Sequence, residues 1–148
     1  LEQWWQEVRL RFLTVKRLVI NLDNGPENHS RRTQFLKRIV AFASKYGLRV
    51  QLAYYPPYHS KYNPIERCWS TLEQQWGGAL LNRLKVIFQE TLRMVWKGRH
   101  PTVRRLHGDY PDGVRLSKKE MRPYEARLER LATLPKYDIV IKPKTIGR

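Results

Sequence analysis

The sequence predicts an α/β fold, and three stretches carry that prediction. Leu18, Val19, Ile20 and Leu22 form a short, nearly continuous apolar run, the pattern of a strand buried on both faces. Arg49–Tyr55 is a second short run of strand type, closed by Pro56-Pro57. Between them, residues 31–46 place Phe35, Ile39, Phe42, Ala43 and Tyr46 at helical period. Two strands joined through a helix are expected to lie parallel, with a right-handed crossover.

Taken in order, residues 1–12 read as an amphipathic helix with Trp4, Trp5, Val8 and Phe12 near one face. The first strand is expected over Val15–Asn24, closed by the turn chemistry of Asp23-Asn24-Gly25-Pro26. The helix over 31–46 ends at Gly47, a natural left-handed cap. After the second strand comes a polar loop, Tyr58 to Tyr62. Asn63 then suits a helix N-cap, Pro64 the first helical position and Glu66 the third. Ile65, Trp69, Leu72 and Trp76 recur at helical spacing and are expected to face the core. Gly77-Gly78 breaks the chain before a long helix predicted over Leu80–Lys97, stopped by Gly98 and Pro101. Residues 102–116 are basic and rich in turn formers. Ser117-Lys118-Lys119-Glu120 is a capping box opening a charged helix to about Leu131. The tail, Tyr137–Pro143, is expected to add an edge strand or an arm.

Bulk properties narrow the function. The 148 residues suffice for one domain with a modest core. Lys and Arg number 29 against 13 Asp and Glu, for a formal charge of +16. Such an excess favours a polyanionic partner, and nucleic acid is the usual one; a merely basic surface protein is the plainer reading. One cysteine, Cys68, excludes an internal disulfide and reads as a packed thiol beside Trp69. No apolar run is long enough for a membrane span, and no signal peptide is legible.

Two acids stand at positions where chemistry is commonly mounted. Asp23 lies at the C-terminal end of a predicted central strand, where open α/β sheets usually place ligands. Glu66 lies one turn into a helix just past a second strand end. Each also has a plain structural reading: an Asx turn for Asp23 and a capping box with Asn63 for Glu66. Asp112 and Glu120 read as turn and cap.

The segment PPYHSKYNPIERCW, with VINLDNGPENH upstream, resembles the acidic motifs of DDE transposases, in the branch related to mariner elements and bacterial insertion sequences. It looks most like the Rhodopirellula-type family. In that family Asn-Pro-Ile-Glu carries the last metal-binding acid and the Leu-Asp-Asn-Gly segment carries the second. The resemblance therefore implies that Asp23 and Glu66 are catalytic and hold metal. It implies two Mg2+ or Mn2+ ions flanking the phosphate in DNA strand cleavage and transfer. The resemblance places His59 beside the active site, where it would contact the phosphate or position a water; a solvated loop histidine is the plainer reading. Lys61 and Arg67 flank Glu66 and are candidate phosphate contacts. Asn24 is a further candidate at the DNA, orienting Asp23 or only shaping the turn. The expected partners are transposon-end DNA and a second transposase chain or an N-terminal fragment, in the bacterial cytoplasm at the nucleoid.

The helix–strand–helix–strand–helix order matches the C-terminal part of the ribonuclease H-like (retroviral integrase-like) fold that the resemblance implies. The three-stranded meander that opens that fold, with the first catalytic Asp on its first strand, is not found in these residues. Residues 1–98 are accordingly expected to be the C-terminal part of the catalytic domain, and 99–148 a basic C-terminal extension. The chain starts in mid-pattern without Met, which suggests a fragment that does not cut DNA alone. A basic nucleic-acid-binding protein without chemistry is the alternative.

Overall fold

The computed structural model describes residues 1–56, 58–59 and 62–144. It is a mixed α/β structure with two compact units. The first comprises residues 1–57 and 112–148, the second residues 58–111. The division expected at residue 98 falls inside the second unit.

The first unit is built on a four-stranded sheet. Its strands are β1 (Arg17–Leu22), β2 (Arg49–Tyr54), β3 (Leu128–Arg130) and β4 (Asp138–Ile141), in the order β1-β2-β4-β3. β1 and β2 are parallel, with Arg17 opposite Arg49 and Leu22 opposite Tyr54. α2 (Thr33–Tyr46) connects them, as its apolar period predicts. Gly47, at φ 63°, caps α2 in the left-handed conformation. α2 buries Leu36, Ile39, Val40, Phe42 and Ala43. These join Val50, Leu52 and Tyr54 of β2 and Ile139 and Ile141 of β4 in one core. α1 (Glu2–Val8) adds Trp5, edge-on to Phe42 at 6.5 Å. α5 (Lys118–Glu125) adds Met121.

Four expectations for this unit need correction. β1 is not buried on both faces: Leu18, Ile20 and Leu22 turn inward, whereas Val19 is half exposed. A nearly continuous apolar run thus sits on a strand with one buried face, at the end of the sheet. The tail is neither edge strand nor arm. β4 lies between β2 and β3, antiparallel to both, with Ile139 and Ile141 fully buried. The charged helix stops at Glu125, not near Leu131, because Pro123 lies inside it and the chain turns into β3. In the first helix Trp5 is buried but Trp4 and Phe12 are exposed; a 3-10 turn over Arg9–Arg11 breaks the periodicity before Phe12. The capping box of Ser117 and Glu120 forms as predicted, with both reciprocal bonds.

The second unit contains α3 (Pro64–Trp76) and α4 (Leu84–Arg93). Trp76 Nε1 donates to Thr91 Oγ1 at 3.2 Å and Gln75 Nε2 to Glu90 Oε2 at 3.2 Å, joining the two helices. Leu72 and Met94 are buried. Ile65 and Trp69, expected in the core with Leu72, are exposed. α4 is shorter than predicted; its first turn starts at Leu84 and a tight hairpin over Trp96–Arg99 follows it.

Candidate functional site

Asp23 is the first residue beyond β1. The strand end is fixed because Tyr55 N donates to Leu22 O at 2.8 Å, tying it to the end of β2. Asp23 Oδ1 accepts two hydrogen bonds, from Asn28 Nδ2 at 2.8 Å and from Gly25 N at 3.2 Å. The second is the Asx turn that the residue types imply. The first is additional, and a turn does not need it. Oδ2 accepts no hydrogen bond among the described residues, and the side chain is exposed. Gly25 packs against this carboxylate: a Cβ there would stand 3.3 Å from Oδ1.

Asn28 is the residue that sequence reasoning missed. It lies inside the quoted LDNGPEN segment, but nothing in its spacing marks it. Tyr54, at the end of β2, donates its hydroxyl to Asn28 O at 2.8 Å. Burial pushes the Tyr54 phenol well up, so it stays a donor at neutral pH. A carboxylate only accepts, so Asn28 must point its amide nitrogen at Asp23. Its Oδ1 is left buried with no partner among the described residues. An unmade buried bond of this kind costs about 1–3 kcal/mol. The orientation of Asn28 is therefore set by Asp23 against its own satisfaction.

The Asn28 bond first, and the Gly25 bond second, hold the Asp23 carboxyl below its ordinary value of 3.8. The folded value is depressed, so ionised Asp23 favours the fold above pH 3.8, and that contribution is lost as pH falls through the lowered value. Asn28→Ala is expected to bring the Asp23 pKa back up toward 3.8. A carboxyl NMR titration reads this directly; an unmoved Asp23 midpoint would show that Asn28 does not govern it.

Asn24 takes the turn role. It adopts a left-handed backbone, φ 63°, and its Oδ1 accepts from Ser30 N at 3.4 Å. It makes no hydrogen bond to Asp23 among the described residues.

Glu66 is the third residue of α3, behind Pro64 and the cap Asn63, as expected. Asn63 Oδ1 accepts from Ile65 N at 3.4 Å. The reciprocal bond from Glu66 to the Asn63 N–H is not made among the described residues, so the cap is one-sided. The carboxylate is partly exposed, in the first turn of the helix. Arg67 follows it and is exposed. His59 is exposed, and its ring stacks on Tyr62 with centroids 5.8 Å apart. Lys61 lies outside the described residues.

Asp23 and Asn24 belong to the first unit; His59, Glu66 and Arg67 belong to the second. Among the described residues no three His, Cys, Asp or Glu side chains group so as to hold a metal ion. The chemistry of the two acids still suits a hard divalent cation, because each offers carboxylate oxygen and Asp23 keeps Oδ2 open.

The described residues contain no helix long and apolar enough to cross a membrane. No curated protein and no solved structure matches the chain. The family model of the Rhodopirellula transposase DDE domain matches residues 1–143, nearly the whole length, including both acidic segments. The chain thus belongs to the Rhodopirellula transposase DDE-domain family.

Proposed function

We propose that this chain serves metal-dependent DNA strand cleavage and transfer during transposition, with Asp23 and Glu66 as two of the metal-holding acids. The observation that carries the reading is Asp23 itself. Its carboxylate is fixed at a strand end by Asn28, at the expense of a buried unpaired oxygen, while its second oxygen stays open. A turn requires only the Gly25 bond. Family membership supplies the transposase context and, with it, a ribonuclease H-like fold.

Mg2+ or Mn2+, when bound, would stabilise the attacking and leaving oxygens of an in-line displacement at phosphorus. Asp23 and Glu66 would bind such ions; Arg67, Lys61 and His59 would meet the DNA backbone, and Asn24 would shape the turn beneath Asp23. Residues 1–98 hold both acids. Residues 99–148 would act as a basic extension toward DNA, besides supplying β3 and β4 to the sheet. Two carboxylates hold a metal pair poorly, so residues 1–148 by themselves are expected not to cut DNA. A third acid on a preceding meander would complete the set.

The test is divalent-ion binding by calorimetry. Asp23→Asn and Glu66→Gln are each expected to weaken Mn2+ affinity by at least about tenfold. Unchanged Mn2+ binding in both variants, with DNA affinity also unchanged, would replace this reading with that of a basic DNA-binding protein in which the two acids are only turn and cap.

A further inference from the structure

The hairpin after α4 forms a second feature that the acids do not use. Trp96 N donates to Arg99 O at 2.8 Å and Arg99 N to Trp96 O at 3.0 Å, closing a two-residue turn. Both central residues have positive φ: Lys97 at 49° and Gly98 at 74°. This is the backbone of a type I′ hairpin. Gly98 suits it, but a lysine in the left-handed region is uncommon. The outlier places a long cationic side chain at the tip, where glycine would serve the turn better.

Beside this tip lies a cavity of about 550 Å3, entirely within the second unit. Its walls include Met94, Trp96 and Pro101 on the apolar side and Lys97, Arg99 and His100 on the polar side; no acid among the described residues lines it. The volume falls within the roughly 300–1,000 Å3 of small-ligand sites. Lys97 Nζ stands 5.7 Å over the Trp96 ring, within cation–π range. His100 Nδ1 lies 3.1 Å from both Leu92 O and Met94 O, so it is the donor there and the ring is fixed against the end of α4. A flat, partly exposed indole flanked by three basic side chains matches a planar aromatic group carrying negative charge.

We infer that this cavity takes one unpaired base of single-stranded DNA, stacked on Trp96, with the adjoining phosphates on Lys97 and Arg99. The choice of DNA rests on the function proposed above; the choice of an unpaired base rests on the cavity. A paired base presents only its edge, whereas stacking on an indole needs an open face. The incoming base displaces the Lys97 ammonium from the ring to the phosphate, so no cation is left without a counter-charge.

The full chain is tested without divalent metal by fluorescence anisotropy. The probes are a short labelled oligothymidylate, an abasic strand with the same backbone, and a duplex of equal length. Wild type is expected to bind the oligothymidylate about tenfold more tightly than the abasic strand. Trp96→Ala should erase that difference and leave the duplex affinity unchanged, while Trp96→Phe should keep most of it. Lys97→Gly, which retains the turn, should reduce the single-strand salt slope by about 0.7. Equal wild-type affinity for the thymidylate and abasic strands overturns the inference, whatever the variants do. So does a preference that persists in Trp96→Ala. The two proposals fail separately: base preference with no Mn2+ effect of Asp23 and Glu66 removes only the catalytic reading, and the reverse result removes only this one.

Discussion

Ile139→Ala is expected to destabilise the first unit by about 2–5 kcal/mol, the range for truncating a buried branched side chain. Ile139 is fully buried, and β4 pairs it with Leu52 of β2 and Arg130 of β3. The core it belongs to is held on several separate elements, so its neighbours cannot close freely around a void. Loss of the methyl and methylene groups removes transfer energy and leaves a cavity on the same face that α2 covers. Urea unfolding monitored by circular dichroism should show a lower midpoint at an unchanged slope. Val19→Ala, on the half-exposed side of β1, should cost less than about 1 kcal/mol. If the two variants have the same midpoint, the tail does not occupy the interior of the sheet.

Binding of duplex DNA should collapse with salt. With 29 basic residues against 13 acidic, a contact area neutralising six to ten phosphates is reasonable for this surface. On the order of six such contacts give a slope near −5 in log affinity against log salt, or about a thousandfold loss between roughly 50 and 200 mM. Asp23→Asn and Glu66→Gln, measured without metal, should leave that slope unchanged, because neither carboxylate pairs with a phosphate. A slope shallower than about −2 would mean that the charge excess is spread over faces the DNA never meets. It would also remove Arg67 and the basic extension over residues 99–148 from the contact surface.

Local chemistry was legible wherever a residue acts on its own neighbours. The cap at Asn63-Pro64, the box at Ser117 and Glu120 and the left-handed Gly47 all follow from interactions or backbone freedom confined to a few neighbouring residues. The parallel pairing of β1 with β2 followed from one amphipathic helix between two short apolar runs. Exposure was less legible. Ile65 and Trp69 have helical spacing, yet α3 leaves both exposed and buries Leu72. Periodicity identifies the apolar face of a helix but not how much of it a neighbour covers. The run at Leu18–Leu22 failed as evidence of two buried faces for the same reason: apolar residues also occur on open sheet faces.

The sequence by itself determined the family, the charge, the two acidic segments and the elements that carry them, because each is written in contiguous residues. Only the tertiary structure decided that β4 enters the middle of the sheet and that Asn28, braced by Tyr54, holds Asp23. Both depend on groups far apart in the chain, Leu52 against Ile139 and Tyr54 against Asn28, whose meeting is set by sheet register and core packing and leaves no local pattern to read.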